Sequence, residues 1–495
     1  MKPNQSIDAS TRTVAPWVLS SVAALVLTAC ASSAGISPTV QTLVPAQLGL
    51  AASATPVGEQ VPSAWWKAWG DPALDSLVEQ ALAANPILQT AEARLVRARA
   101  AVDAEGGQAG PQLQLNADTT RQHFSANSIY PSPLGGSTRT LANVQLAGSW
   151  ELDFFGRHRA AIAAAVGSER AAQADLAAAR NLLVGQVAQT YVQLARLLAQ
   201  RSVAERALAQ REQMLTLIRQ RVDAGLDTQV ELRQGEGALP ETRQTMEQLD
   251  EQITQARHAL AALAAVPMQS LTALRPALAD GRLYAVPASV SVDLLGGRPD
   301  VTAARWRIEA ATQGIAAAKA QFYPNVSLTA FAGLSSIGLD NLVEAGSRHA
   351  GVGPAIHLPI LDAGLLRANL RGKTADLDSA VAAYNGAVLN AVRDAADQVH
   401  ALQSLTRQRA EQAQAQRAAE EAYGFARQRY GAGLSGYLTL LNAESAVLAQ
   451  RRQAVDLQAR TMAAQAGLIQ ALGGGFQAEP PSNLGVAQAS VQASR

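Results

Sequence analysis

The residue types that most often do chemistry are sparse in this chain and poorly placed for it. Six histidines, His123, His158, His258, His349, His357 and His400, stand with no HExxH or other close ligand spacing, so the sequence points to no metal site. Gly372-Lys373-Thr374 is a fragment of a phosphate loop, but Arg367 occupies the place of the first glycine and the stretch reads as helix, which argues against nucleotide binding. Carboxylates recur three or four residues from arginines, the pattern of solvated helix faces rather than of an acid–base pair. No serine, histidine and aspartate arrangement follows from spacing, and nothing argues for an enzyme or a bound cofactor. The reactive side chain in a telling position is Cys30, the single cysteine, which leaves no disulfide framework and no cysteine-based zinc site.

Lys2 and Arg12 precede an apolar run from Val14 through Ala29 that closes on Leu27-Thr28-Ala29-Cys30. A charged start, an apolar middle and a small-residue exit read as an export signal over residues 1–29. The exit resembles a bacterial lipobox, whose cysteine becomes the lipidated first residue after cleavage, so a covalent lipid on Cys30 is expected. Ala31 follows it, not the aspartate that holds such proteins at the inner membrane, and the resemblance implies sorting to the outer membrane. Residues 30–63 are small, polar and punctuated by proline, and read as an extended lipidated tether. No later segment approaches the roughly 18–20 apolar residues of a membrane helix. A membrane span would have to be made of strands.

The elements that position these residues are written twice. Residues 221–238, RVDAGLDTQVELRQGEGA, return as residues 429–446, RYGAGLSGYLTLLNAESA, sharing Gly225/Gly433, Leu226/Leu434 and Glu236/Glu444 among others. An offset of about 210 residues is too long for a stacked solenoid and reads as duplication of a half-chain. Each copy is a helix ending at a glycine, a polar turn and a second helix, the tip of a long helical hairpin in which these residues are structural. Upstream, alternation with a period of two predicts strands at about 112–123 and 141–152, and again at about 325–334 and 351–360. Leu113, Leu115, Leu328 and Phe331 are expected on an outward apolar face, with Phe124, Tyr130, Phe322 and Tyr323 at its edges.

The absence of proline between Pro133 and Pro240 and between Pro359 and Pro480 supports hairpins over 157–265 and 364–472, with first arms on the order of 100 Å at about 1.5 Å per residue. Pro240 is expected to kink one return arm. The chain thus reads as a first repeat over 64–280, a second over 281–475 and a flexible tail over 476–495. Its 495 residues carry a net charge of +1, which gives no reason to expect nucleic acid. Four strands cannot close a barrel with a lumen. Either they form a small soluble sheet, or several chains share one barrel.

Four stretches carry a wider resemblance: WWKAWGDPALDSLVEQALAANP, SWELDFFGR, GRPDVTAARWRIEAATQGIAAAKAQFYPNVSL and RYGAGLSGYLTLLNAESAVL. In this order, across about 64–475, they are similar to the TolC-like outer-membrane efflux factors, within which the OprM-like lipoproteins look nearest. The resemblance implies a mainly α fold with membrane β: a homotrimer whose protomers each give four strands to a twelve-stranded β-barrel and long helices to a periplasmic α-barrel. It implies a channel that carries drugs or other toxic compounds outward from an inner-membrane pump of the RND type through a periplasmic adaptor. It also implies a periplasmic gate at the tips, with Arg429 and Tyr430 at positions that tie the closed state. The related pattern has Leu-Leu-Asp where this chain has Leu440-Leu441-Asn442, so a cation-selective ring of carboxylates is replaced by an uncharged one. Read from the residues alone, Arg429, Tyr430 and Glu444 are equally suited to helix capping and interhelical pairing. The rival reading is a periplasmic coiled-coil lipoprotein without a pore.

Overall fold

The computed structural model describes residues 32–43, 61–278, 297–359 and 362–477. Cys30, the export signal, the expected junction of the repeats at 280 and the tail beyond 477 lie outside the described residues. The elements are α1 (Pro72–Ala84), α2 (Pro86–Ala109), β1 (Gln112–His123), β2 (Thr138–Leu152), α3 (Arg157–Asp223), α4 (Gln229–Ala264), α5 (Pro299–Ala320), β3 (Asn325–Ile337), β4 (Arg348–His357), α6 (Ala363–Gly431) and α7 (Tyr437–Ala471). The order helix, two strands, long helix, return helix therefore occurs twice. The described residues divide into two compact units, one drawn from 32–41, 98–169, 306–359 and 362–382, the other from 42–43, 61–97, 170–278, 297–305 and 383–477.

The first unit holds a four-stranded antiparallel sheet in the order β1-β2-β3-β4. Its register runs from Gln112 opposite Ser149 to His123 opposite Thr138, from Leu141 opposite Ile337 to Leu152 opposite Val326, and from Asn325 opposite His357 to Leu334 opposite Arg348. Because side chains alternate across a strand, this register fixes two faces. One carries Leu113, Leu115, Val144, Leu146, Trp150, Leu328, Val352 and Ile356; the other carries Gln112, Gln114, Asn116, Asp118, Asn143, Gln145, Ser149 and His349. Leu113 and Leu115 are 70% and 68% exposed, far more than an apolar side chain keeps in a closed core. The outer edges of β1 and β4 have no strand partner among the described residues.

Phe331 corrects the sequence reading. It stands three residues from Leu328, an odd step, so the two point to opposite faces. Phe331 lies on the polar face, its ring 5.5 Å from that of His349, and His349 Nε2 is 3.1 Å from Gln145 Oε1. Gly351 opposite it leaves the room: a Cβ there would come within 2.7 Å of the Phe331 ring. β2 also starts three residues earlier than alternation suggested, because Thr138-Arg139-Thr140 is polar on both faces and gives no contrast to read.

Residues 32–43 are a docked strap. Ile36 packs among Ile315, Ala318, Phe322, Leu370 and Leu377. The Asp378 carboxylate accepts from the Thr39 and Val40 amides at 2.9 and 3.0 Å and from the Thr39 hydroxyl at 2.8 Å, while Arg367 donates to the Ser32 and Ala34 carbonyls. The phosphate-loop fragment is ordinary helix: within α6, the Thr374 hydroxyl donates to the Leu370 carbonyl.

The second unit is packed around Trp65, Leu74, Val78, Leu183, Val187, Leu194 and Leu260. Trp65 packs edge-on against Trp66 and Trp69 at the entry, a staple that buries a large apolar surface. Asp71 caps α1 by accepting from the Ala73 amide at 3.0 Å, with Pro72 at the first helical position. α4 passes Pro240 unbroken as a 36-residue helix. Near that proline, which has no amide to donate, Arg211 and the Thr242 hydroxyl both donate to the Ala238 carbonyl.

Candidate gate at the hairpin tips

Both tips close on the same backbone device. In the first, Gly225 has φ +71°, its amide donates to the Val222 carbonyl and the Leu226 amide to the Arg221 carbonyl. In the second, Gly433 has φ +76°, its amide donates to the Tyr430 carbonyl and the Leu434 amide to the Arg429 carbonyl. This double bond pattern ends a helix on a left-handed residue, a place that costs glycine nothing. Leu226 and Leu434, the residues after each glycine, are exposed. α4 then opens with a capping box: Thr228 accepts from the Val230 amide, and Glu231 accepts from the Thr228 amide. The matching position before α7 is Gly436, which provides no side-chain cap.

The copies part at the turn. Arg221 grips Asp227 with both arms of its guanidinium, Nε to Oδ2 at 2.9 Å and Nη2 to Oδ1 at 3.2 Å. Its third arm crosses to the other hairpin, where Nη1 donates to the Tyr430 carbonyl at 3.1 Å, and its plane lies 4.6 Å over the Tyr430 ring. The Tyr430 hydroxyl closes the circuit by donating to Asp227 Oδ2. Tyr430 is fully buried, beside Ile218, Tyr423, Ala426, Tyr437 and Leu440. The Arg221 and Asp227 side chains keep only 11% and 7% exposure, so their charges are worth more than on an open surface.

Burial works against ionisation of Asp227, but the bonds from Arg221 and Tyr430 outweigh it and hold the carboxyl below its ordinary value. Burial, then the negative Asp227, pushes the Tyr430 hydroxyl up. The bond to Asp227 raises Arg221 further. The three groups stay as cation, anion and neutral phenol.

In the second tip Ser435 stands where Asp227 stands in the first, and its buried hydroxyl has no hydrogen-bond partner among the described residues. Without a carboxylate there, Arg429 lies exposed and donates to the Leu434 carbonyl of its own turn at 3.3 Å. Asn442 is exposed, with no hydrogen-bond partner among the described residues. Of the three residues expected at a gate, the structure brings Tyr430 against the opposite hairpin and leaves Arg429 and Asn442 outward.

A second tie lies higher. Arg211 of α3 reaches Glu444 of α7 with Nε to Oε1 at 3.3 Å and holds Thr242 Oγ1 at 2.8 Å. Burial pushes the Glu444 carboxyl up, against the pull of Arg211. Its sequence twin Glu236 is part-exposed and bonds to Arg233 at 2.7 Å. A third tie joins Arg196 of α3 to Asp456 of α7 at 3.0 Å. Sequence reasoning missed Asp227, Arg211 and Thr228. Only the capping box was readable, as a threonine three residues ahead of a glutamate.

Two repeated halves, an open sheet with one apolar face, and long helical hairpins tied at their tips are the features expected of a mainly α outer-membrane channel protein. The chain belongs to the family described as outer membrane efflux protein, which matches residues 77–266 and 290–474. The multidrug resistance outer membrane protein MdtP of Escherichia coli strain K12 is 34% identical over 458 residues, 89% of this chain and 92% of that protein. MdtQ of Escherichia coli O157:H7, also described as a multidrug resistance outer membrane protein, is 32% identical over 84% of this chain and 88% of its own length. Among solved structures, the outer membrane protein VceC of Vibrio cholerae superposes with a TM-score of 0.79 at 34% identity, covering 84% of this chain and 100% of that one. The chain is an outer-membrane efflux channel, a transport protein. Its mainly helical fold with a small antiparallel sheet is the one expected from the sequence.

Proposed function

We propose that the chain works as a homotrimer in a tripartite efflux system, carrying drugs or other toxic small molecules from an inner-membrane pump of the RND type, through a periplasmic adaptor, to the cell exterior. The observation that carries this is the sheet. Four strands are too few to enclose a lumen, and unpaired backbone edges are not tolerated in hydrocarbon. Three copies in a ring would pair β4 of one with β1 of the next and give twelve antiparallel strands, apolar outside and polar within. Phe154, Phe155 and Tyr323 at the helix end of the sheet suit an interfacial belt, the last two stacked at 4.8 Å.

The hairpin tips are the periplasmic gate in this reading. Tyr430 with Arg221 and Asp227 locks the two hairpins of one protomer, the exposed Arg429 meets a neighbouring copy, and three Asn442 side chains line the opening. A lipid on Cys30 anchors the N-terminus, and the strap over 32–43 supports that reading by holding the following segment against α6. The test is the native mass of the full-length protein in mild detergent, followed by conductance in planar bilayers. A trimer with discrete pore-sized steps is expected. A monomer that stays soluble once Cys30 is replaced overturns the channel assembly.

A further inference from the structure

The strands join the helices at Gln112, Leu152, Asn325 and His357, and the opposite end of the sheet carries the turns over 124–137 and 338–347. On the apolar face, the run of Leu113, Leu115 and Ala117 in β1 gives way at that distal end to Arg121. In β4, the run of Ile356, Val352 and Ala350 ends at Arg348, the first residue of the strand. Arg121 and Arg348 are exposed, and neither guanidinium has a hydrogen-bond or ion-pair partner among the described residues. The helix end of the sheet is different. There Arg157 pairs with Glu151, His158 lies 3.3 Å from the same carboxylate, and Arg159 lies 3.6 Å from Asp153. Cations are neutralised from within at one rim and left open at the other.

A lone guanidinium on the lipid side is costly in mid-membrane, about 2–4 kcal/mol, and falls to roughly 0–1 kcal/mol at the headgroup level. Its planar fork matches the oxygens of a phosphate better than any other side chain. The two arginines sit on opposite edge strands, and closing the barrel brings the distal end of β4 beside the distal end of β1 of the next copy. We propose that each such seam binds a phosphorylated headgroup of an outer-leaflet lipid, held by Arg348 of one copy and Arg121 of the adjacent copy, with the acyl chains on the apolar band below. The site rests on the trimeric barrel proposed above, and the distal rim faces the exterior because the helices occupy the periplasm.

The test uses the full chain in neutral detergent, titrated with a phosphatidic acid and with a phosphatidylcholine of the same acyl length. Wild type is expected to prefer the phosphate monoester. The double variant Arg121→Gln/Arg348→Gln is expected to bind it about tenfold more weakly, with its oligomeric mass unchanged, and the double lysine variant to recover part of the affinity. Arg139→Gln is the control. It removes a charge at the same end but on the polar face, where Arg139 Nε lies 3.3 Å from Ser137 Oγ, and binding is expected to stay at the wild-type level. Inorganic phosphate at the same concentration is expected not to compete, since it lacks the chains that lie on the band. An unchanged preference in the double glutamine variant, an equal loss in the control, or full competition by inorganic phosphate overturns the site while leaving the channel intact. A wild-type chain that is monomeric and binds neither lipid removes the barrel reading and this site with it.

Discussion

At Arg221 one guanidinium serves a carboxylate, a carbonyl and an aromatic ring at once, which makes it the central tie of the gate proposed above. Asp227→Asn keeps the shape and removes the charge, leaving a buried cation half-served at a cost of about 2 kcal/mol. The expected outcome is a leakier channel, seen as a higher resting conductance than wild type in planar bilayers; an identical conductance would place the gate elsewhere. The pH dependence follows in sign. Asp227 titrates below its ordinary value of 3.8, so its ionised form stabilises the folded tip above that pH, and the contribution fades as pH falls through the lower folded value. The stability gap between wild type and Asp227→Asn, followed by thermal unfolding, should therefore hold at neutral pH and close in strong acid. Asn442 belongs to the same scale. Asn442→Asp places three carboxylates at the proposed opening, and reversal potentials in a salt gradient should move toward cation preference. No movement would show that Asn442 does not line the path.

At the scale of elements, the hairpin tips were the most legible part of the sequence, since Gly225 and Gly433 sit where only a left-handed residue ends the helix. The strands are legible through alternation, and Phe331 is the exception, an aromatic residue an odd step from Leu328 and so on the polar face. Asp227 could not be found at all. Its neighbours read as an ordinary polar turn, and its bond to Tyr430 joins residues 203 positions apart. Thr228→Ala tests the cap that sequence could have revealed. It is expected to cost about 1 kcal/mol, read as a lower denaturation midpoint with an unchanged slope.

For the whole molecule, the two faces of the sheet decide whether the chain assembles. Leu115→Arg places a charge on the apolar face and is expected to cost about 2–4 kcal/mol in the membrane, depleting trimer in detergent extracts. Asn116→Arg, one residue on, puts the same charge on the polar face and is expected to leave the trimer in place. Equal behaviour of the two variants would mean that neither face meets lipid. The sequence could supply four strands but not their closure, because the missing partner of each sheet edge lies in another copy of the chain. α3 is tied to the second hairpin at Arg196, Arg211 and Arg221, among other bonds, and in the gate proposed above the tie nearest the turn, at Arg221, is the one that would yield.

Gly436 has a kinetic consequence. α4 starts on a capping box, whereas α7 starts on a residue with no side chain and is held from its flank by the buried Tyr437 and Leu440. The first turn of α7 is thus the compliant half of the pair, the half that frays first. Amide hydrogen exchange at Leu438–Leu440 should outpace that at Val230–Leu232, and Gly436→Ser, by supplying the absent acceptor, should slow the former alone.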